Sequence, residues 1–499
     1  MARGLHDLAT IRSMGDAFNQ RLEEEYWLNW VGLLDRVDLN KLFGAFSGLF
    51  ERDTVAYVRE QMGAAADPEA RRRLRALVGS LILFYLEEGA RDLQAEVLRA
   101  GAEAVVEVGG ERLAYRSLAV RIMQQPDRER RLLLNGLQRE VQRLQLNPLR
   151  RDMLRRQLDL VHDLGYSSYV EAMEEAQNRR FAPFAHTARR FLEDSADLYR
   201  KYLEYYLDKH VGVAVTDAHM TDLARLQRSS EFDSYFTSER LIPVVKQTWS
   251  GLGYDLDANP FIKLDLEERP RKLPRACVSA VNPPTDIRLT IYPTGGFQDY
   301  DNFMHESGHA QHFSHMRMDL EYEYKFWGDR GFTEGMAYLF QHLCGNHLWL
   351  EEMVGMRDQA AFRRFVAFSQ LRNLRRLLAQ FLYEFELFST ERIDEMPQVY
   401  TTILGEGAMV AYDPEGYLGF DMEFYNAGYA RARLFEVQLR TYLEEQYGSG
   451  WWRDKRAGAF LADLWREGRR VCAEEVLEGL GLGGLQPAAY LVHAAAVLD

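Results

Sequence analysis

The chain has 499 residues, of which 47% are hydrophobic and 12% aromatic, so it can bury a large core. A formal net charge of −14 argues against general binding to nucleic acid. The three cysteines are too few and too scattered for a disulfide framework and lack zinc-finger spacing, so we expect reduced thiols. The apolar stretch 77–86 is too short to span a membrane, and the first residues do not resemble a signal peptide. We therefore expect a cytoplasmic protein without membrane or nucleic-acid partners.

Up to about residue 275 the pattern is almost entirely helical, because apolar residues recur three and four positions apart and Pro and Gly are sparse. The predicted helices are 18–37, 71–88, 128–145, 149–164, 184–207 and 217–226. Loops are predicted at 63–68, 109–110, 147–148 and 210–215. No repeat at a fixed period is visible.

Near residue 276 the pattern becomes β-rich. Segments 276–281 and 286–292 predict two short strands joined by a turn at 282–285, which contains two prolines. Apolar and polar residues alternate in the second segment, so one face of the strand is expected to be buried. If one edge of this hairpin is open, an extended peptide could pair with it; otherwise it is an ordinary hairpin with both edges covered.

The next predicted helix, which Asp299 or Asp301 could cap, contains the sequence His-Glu-x-x-His. His305 and His309 lie four positions apart, so both imidazoles fall on one helical face and could bind one metal ion. Glu306 would lie beside that metal, where it could hold and deprotonate a water molecule. Zinc suits two neutral imidazoles plus a carboxylate, with one position left for water.

A third ligand is expected from the following helical stretch. Glu334 lies in the first turn of that stretch, between the apolar residues Phe332 and Met336. We predict Glu334 as the third ligand; the alternative is a carboxylate that only interacts favourably with the helix dipole. Competing acids lie in a polar stretch and are expected to be solvated: Glu321, Glu323 and Asp329.

Residues 356–390 and 430–446 again predict helices, and the glycine-containing stretch 400–429 between them is expected to be rich in loops. A phenol group in this stretch could stabilise the oxyanion of peptide hydrolysis, whereas the alternative is aromatic packing. The candidates are Tyr400, Tyr412, Tyr417, Tyr425 and Tyr429.

Together these motifs resemble the thimet oligopeptidase / oligoendopeptidase F family of zinc metallopeptidases. The resemblance is carried by segments 276–312, 331–334, 164–169 and 424–429, and the predicted third ligand follows the second histidine of His-Glu-x-x-His by 25 residues. Angiotensin-converting enzyme and the thermostable carboxypeptidases share this zinc helix and its helical surroundings. The likeness extends over roughly residues 155–435.

The resemblance implies a mostly α fold with two helical lobes around a deep substrate cleft and a small β-sheet next to the zinc-binding helix. Residues 1–150 would form part of one cleft wall, and 151–499 the catalytic region. The expected activity is hydrolysis of internal bonds in short unfolded peptides. One zinc ion would be bound by His305, His309 and Glu334, with Glu306 as the base and Tyr429, then Tyr425, as oxyanion donors.

The sequence departs from the family at one point. The family usually has a histidine shortly before the tyrosine motif, where this chain has residues 419–421, Gly-Phe-Asp. This departure motivates the second of two alternatives to an endopeptidase that stay open. One is a zinc carboxypeptidase or dipeptidase, which would need a cation for the substrate carboxylate: Arg288, Lys325 or Arg330. The other is a helical binding scaffold in which zinc is structural or absent. Either a monomer or a homodimer is compatible with the sequence.

Overall fold

The protein is described from a computed structural model that covers residues 4–226 and 230–499. Its helices, in chain order, are α1 (Leu8–Trp30), α2 (Leu39–Ala45), α3 (Arg52–Ala64), α4 (Pro68–Glu103), α5 (Tyr115–Gln124), α6 (Arg128–Val141), α7 (Asn147–Asp163), α8 (Tyr169–Ala176), α9 (Phe181–Asp194), α10 (Ala196–His210), α11 (Met220–Leu226), α12 (Ser238–Gly251), α13 (Phe297–Ser314), α14 (Tyr322–Phe326), α15 (Arg330–Gln341), α16 (His347–Trp349), α17 (Ala360–Thr390), α18 (Met396–Ala408), α19 (Tyr425–Tyr447), α20 (Lys455–Trp465), α21 (Ala473–Gly479) and α22 (Pro487–Leu498). The strands are β1 (Val105–Val108), β2 (Glu111–Ala114), β3 (Ile262–Asp265), β4 (Cys277–Asn282) and β5 (Asp286–Thr290).

Several helices begin where a short polar side chain accepts a hydrogen bond from a backbone N–H of the first turn, which satisfies a donor that the helix itself cannot pair. Asp7 does this for α1, Asp127 for α6 and Ser168 for α8. The start of α13 differs from the prediction, because its first flanking residue is Gly296, with φ of 93°. Asp299 instead accepts the N–H groups of the loop that precedes the helix.

The described chain divides into two compact units, each assembled from separate segments of the sequence. Unit 1 comprises residues 1–81, 230–367 and 428–499, and unit 2 comprises residues 82–229 and 368–427. The unit boundaries at 81/82, 367/368 and 427/428 fall inside α4, α17 and α19. The predicted division at residue 150 and the predicted cleft stay predictions.

In unit 1 a three-stranded sheet lies against the helix that carries His-Glu-x-x-His. β5 is the central strand, paired in parallel with β3 and antiparallel with β4. Ile287 and Leu289 are fully buried, and α13 packs against both β4 and β5. On the other face Trp27 of α1 donates a hydrogen bond to Thr290 at 3.0 Å. The sheet is thus fixed between α1 and α13.

Unit 2 contains a small hairpin and a cluster of aromatic side chains. β1 and β2 pair antiparallel, and Val106 and Leu113 bury against α5 and α6. The aromatic cluster holds the segment that precedes α19, where the Phe424 and Phe181 ring centroids lie 4.3 Å apart. Asp222 is fully buried and is neutralised by Arg131 at 2.7 Å.

The prediction of a mostly α fold with a small sheet beside the His-Glu-x-x-His helix is confirmed. The prediction that residues up to 275 are helical is wrong at β1, β2 and β3. The predicted helix 184–207 is two helices, because Ser195 ends the first one and its hydroxyl donates to the carbonyl of Phe191. Within the described residues, no helix is both long and apolar enough to cross a membrane.

The stretch 400–429 is less loop-like than predicted, because Gly405 and Gly407 lie inside α18. A Cβ on Gly407 would lie 2.4 Å from the Cβ of Ala379, so this glycine permits close packing of α18 on α17.

Candidate metal centre

The candidate centre is built by two helices that approach each other closely. A Cβ on Gly308 of α13 would lie 3.0 Å from the Cα of Ala337 and 3.0 Å from a ring atom of Phe340, both on α15. Only a glycine fits at this spacing without displacing a neighbour. Gly308, the third residue after His305, is therefore a packing position. Its small size allows α15 to lie beside the two imidazoles.

The three predicted ligands come together. Nε2 of His305 lies 3.2 Å, and Nε2 of His309 3.4 Å, from Oε2 of Glu334. All three ligand atoms lie within 4.8 Å of one another. Ligands bound about 2.0–2.2 Å from a tetrahedral zinc ion would lie about 3.3–3.5 Å apart, so the two distances to Glu334 match this spacing, and the donor set suits zinc in its chemistry.

Hydrogen bonding alone does not explain this cluster. Oε2 of Glu334 is buried and accepts no well-oriented hydrogen bond from any residue that the structure describes. Burial opposes ionisation, but the two imidazoles beside the carboxyl, those of His309 and His305, outweigh that effect and hold the pKa of the Glu334 carboxyl well below its usual range. A buried ionised oxygen needs a positive partner, and a metal ion held by this carboxylate and the two imidazoles would supply one.

The first histidine is oriented by a chain of hydrogen bonds. Nδ1 of His305 lies 3.1 Å from Oε1 of Gln341, and Nε2 of Gln341 donates to Asp301 at 2.6 Å. Arg433 approaches Gln341 Oε1 at 3.4 Å, and its guanidinium lies 3.5 Å from the ring centroid of Tyr338. Because the Gln341 oxygen faces His305, Nδ1 carries a proton, and Nε2 is the nitrogen that could bind a metal.

The second histidine lacks such support. Nδ1 of His309 is buried and has no hydrogen-bond partner among the described residues. Its ring packs on Phe313, with centroids 5.4 Å apart and planes inclined by 14°. The orientation of His309 therefore depends on ring packing.

Glu306 lies between the two histidines in sequence and faces the edge of the sheet. Its Oε2 accepts the N–H of Val278 at 3.0 Å. Val278 belongs to β4, an edge strand of the three-stranded sheet. Burial raises the pKa of the Glu306 carboxyl, and the neighbouring His305 and His309 oppose that rise. The Glu306 carboxylate is thus hydrogen-bonded to the edge of the sheet and lies near the three predicted metal ligands.

Comparison with solved structures finds other proteins whose chains follow a similar fold. No protein-family model matches the sequence, and no curated protein sequence matches it either. A protein assigned as an oligoendopeptidase F from Bacillus anthracis str. Ames matches with a TM-score of 0.66 and 14% identity, over 97% of this chain and 89% of its own. PZ peptidase A, solved with an inhibitor, matches with a TM-score of 0.71 and 14% identity, over 98% of this chain and 91% of its own. A further protein assigned as an oligoendopeptidase F matches with a TM-score of 0.66 and 16% identity, over 100% of this chain and 98% of its own.

The chain has the oligoendopeptidase F fold. At 14–16% identity the agreement concerns the course of the chain, and the roles of individual residues come from the geometry described above.

Within this fold the two predicted tyrosines lie at the start of α19, four residues apart and so on one helical face. Tyr429 belongs to unit 1, and its ring centroid is 6.0 Å from that of Tyr338, which is itself 5.0 Å from the His305 ring. Tyr425 belongs to unit 2 and follows Phe424, which has a left-handed φ of 51°. The roles of both tyrosines as oxyanion donors stay predictions.

The competing acids do not join the cluster. The expectation that they are solvated is wrong for two of them. Glu323 is fully buried and pairs with Arg12 at 2.6 Å, and the side chain of Asp329 is only 6% exposed and pairs with Arg431 at 2.6 Å. Glu321 pairs with Arg73. Each therefore already has a cationic partner.

Sequence reasoning missed the residues around His305. Asp301 precedes it by one helical turn, and Gln341 follows Glu334 by two turns. Both spacings put these polar side chains on the same helical faces as the predicted ligands, which is the signal that could have identified them.

Proposed function

We propose that the protein is a zinc-dependent peptidase that hydrolyses internal bonds of short peptides. The observation that carries this proposal is the convergence of His305, His309 and Glu334, with Glu306 beside them at the edge of β4. The resemblance in fold to proteins named oligoendopeptidase F and PZ peptidase supports peptides as the substrate class.

His305, His309 and Glu334 would hold the zinc ion. When bound, zinc polarises the scissile carbonyl and lowers the pKa of a bound water to about 7. Glu306 would accept a proton from the attacking water and deliver it to the leaving amine. Tyr429, with Tyr425 as the second candidate, would donate its phenol O–H to the developing oxyanion.

The edge strand supplies a means of positioning the substrate. Among the described residues β4 has a neighbouring strand, β5, on one side only, and its Val278 N–H donates to Glu306. An extended peptide that adds to this edge would align its backbone with the carboxylate that acts on it. Main-chain pairing is insensitive to side chains, so pairing with β4 would not by itself select peptides by their sequence.

The test is Glu306→Gln, with the exposed Glu478→Gln as the matched control. We expect Glu306→Gln to retain one zinc ion per chain and to lose peptide hydrolysis by a factor of at least about 10³, because the amide cannot take up the proton. Zinc content is measured by elemental analysis and hydrolysis with a quenched fluorescent peptide. Full activity in Glu306→Gln would remove this residue from the mechanism.

The scaffold alternative predicts a different result. If zinc were only structural, the unaltered protein would bind zinc and gain thermal stability but would hydrolyse no peptide. A chelator that abolishes hydrolysis, with recovery on adding zinc, would exclude that alternative.

A further inference from the structure

Three consecutive glutamates on α1 have different surroundings. Glu24 is exposed and accepts a hydrogen bond from Arg288 at 3.1 Å. Glu25 pairs with Arg21 of the same helix at 3.2 Å. Glu23 is half-buried, and no residue that the structure describes forms a hydrogen bond or a close ion pair with it. Arg288, one of the cations considered from the sequence for a substrate carboxylate, is thus already used by Glu24, whereas the carboxylate of Glu23 is left without a direct partner.

The face of α1 that carries Glu23 is directed into unit 1. Asn19, one turn earlier, is buried and donates to the hydroxyl of Tyr322 at 2.9 Å. Trp27, one turn later, donates to the hydroxyl of Thr290 in β5 at 3.0 Å. Residues four positions apart lie on one face of a helix, so Glu23 lies between two positions that are anchored inside this unit.

Glu23 also lies near the strand that contacts the proposed catalytic base. α1 packs against β4, and Cys277, the first residue of β4, pairs in register with Thr290. Burial raises the pKa of the Cys277 thiol to about 12, and the charges of Glu306 and Glu23 both add to that rise. The next residue of β4 is Val278, whose N–H donates to Glu306. Both carboxylates therefore act on the same end of β4.

The charge of Glu23 is only partly compensated within the described part of the protein. Burial raises the pKa of the Glu23 carboxyl to about 7, and the charge of Arg469 opposes that rise. The guanidinium of Arg469 makes its direct contacts with other groups: its Nη1 donates to the carbonyl of Phe326 at 2.7 Å, and its Cζ lies 5.0 Å from the ring centroid of Phe313. A cation that reached the half-buried Glu23 would therefore stabilise its ionised form.

We propose that Glu23 binds a positively charged group of the peptide substrate, an inference that rests on the proposed peptidase function. An ammonium or guanidinium group supplies both the charge and the N–H donors that this carboxylate lacks. An extended peptide paired with β4 would place one residue beside Cys277 and the adjacent one beside Val278, which contacts Glu306. The cation would therefore lie within about three residues of the bond that is cut. A Lys or Arg side chain and a free N-terminus share this chemistry.

The experiment measures peptide affinity in zinc-loaded Glu306→Gln protein, so that no peptide is consumed. Unlabelled peptides of one apolar sequence compete with a fluorescent peptide whose binding is followed by anisotropy. The reference peptide is N-acetylated and has no basic residue; a second has a free N-terminus, and an N-acetylated series has one lysine at each position in turn. We expect the free N-terminus, or lysine at one position, to strengthen binding about tenfold over the reference. Adding Glu23→Gln should abolish this gain, and the peptide that shows it identifies the source of the cation.

Two further variants separate a role in binding from a role in the fold. Glu23→Asp keeps the charge on a shorter side chain and should retain part of the gain in affinity. Glu25→Gln is the matched control on the same helix and should retain all of it, because the carboxylate of Glu25 already pairs with Arg21. Each gain is a ratio of affinities within one variant, so a general loss of stability does not imitate the effect.

The opposite results are equally clear. If Glu23 only balances the charge of Arg469, Glu23→Gln will change thermal stability and leave the ratio of affinities as it was, which would overturn the proposal. Equal affinity for every peptide, or no binding of any, would overturn it as well. Hydrolysis of the reference peptide by the unaltered protein would leave the peptidase function standing in each of these cases.

Discussion

Oε1 of Gln341 lies 3.1 Å from Nδ1 of His305, while the amide nitrogen of the same side chain donates to Asp301 at 2.6 Å. An amide alone could face the imidazole with either its oxygen or its nitrogen, but the acceptor-only carboxylate of Asp301 fixes which end is which. His305 is therefore held in the tautomer whose Nε2 can bind a metal. Nδ1 of His309 has no hydrogen-bond partner among the described residues, so hydrogen bonding orients His305 but not His309.

Gln341→Leu should weaken zinc binding. The substitution removes the acceptor for Nδ1 of His305 and leaves Asp301 without its donor, while the three predicted ligands stay unchanged. Loss of such a supporting hydrogen bond costs about 10- to 100-fold in metal affinity. Zinc affinity is measured by competition with a coloured chelator at fixed pH.

The matched control is Gln157→Leu. This glutamine is also buried and donates to the carbonyl of Leu86 at 3.2 Å, but it lies in unit 2 and not at the candidate centre. Its substitution should leave zinc affinity unchanged. Equal affinities in the two variants would contradict an orienting role for Gln341.

Gly308→Ala should destabilise the fold around the centre. The new Cβ would lie 3.0 Å from the Cα of Ala337, which is backbone and cannot rotate away, so α13 and α15 must separate. Overpacking of this kind costs about 1–3 kcal/mol. The free energy of unfolding is measured in urea, together with zinc affinity, which should fall as Glu334 moves from the imidazoles.

Replacing a glycine by alanine should have the opposite effect on the free energy of unfolding where there is space for the new Cβ. Gly136 lies on the exposed face of α6, and a Cβ there would meet nothing within 4 Å. Gly136→Ala should therefore stabilise the protein by up to about 1 kcal/mol through helix propensity. Stabilisation by both substitutions would disprove the close approach of α13 and α15.

The parts of the centre that could be predicted are those set by local spacing. Four residues of helix suffice to place His305 and His309 together, and the apolar neighbours of Glu334 predict that its helix is buried. The supporting pair Asp301 and Gln341 could not be assigned, because their contact depends on how α13 and α15 are aligned, and 40 residues separate them.

The fold class and the strands β4 and β5 were predicted, but β1, β2 and β3 were not. β1 and β2 have four residues each, so the alternation of apolar and polar residues in them is too short to stand out between helices. Gly109 and Gly110, predicted only as a loop, form the turn of the hairpin that joins these two strands. β3 pairs in parallel with β5, which follows more than 20 residues later, and such non-local pairing leaves no periodic signal in the sequence.

Tyr429→Phe should slow hydrolysis without affecting zinc affinity. The predicted donor would no longer stabilise the oxyanion, which typically costs about 10²–10³ in kcat while KM changes little. The control is Tyr442→Phe on the same helix, whose ring lies 5.5 Å from that of Phe460. An unchanged kcat in Tyr429→Phe, with a loss in Tyr425→Phe, would assign the role to the earlier tyrosine.

Glu384 should make unit 2 less stable as the pH rises. Its side chain is fully buried, one oxygen accepts from Asn426 at 2.7 Å, and the other has no hydrogen-bond partner among the described residues. Burial raises the pKa of Glu384 from its ordinary value of 4.5 to about 8. The folded protein therefore holds this proton over a range in which the unfolded chain has released it. The stability that the proton provides is complete below the unfolded pKa and is lost as the pH rises through the folded pKa.

Glu384→Gln removes this dependence, because an amide stays neutral at every pH. We expect the free energy of unfolding of the unaltered protein to fall by about 1.4 kcal/mol per pH unit, relative to Glu384→Gln, between about pH 5 and about pH 8. Urea denaturation at several pH values measures the difference, with Glu386→Gln, a half-buried carboxyl on the same helix, as the control. A constant difference between unaltered protein and Glu384→Gln across this range would show that Glu384 is ionised in the folded state, and its second oxygen would then need a hydrogen-bond donor from solvent.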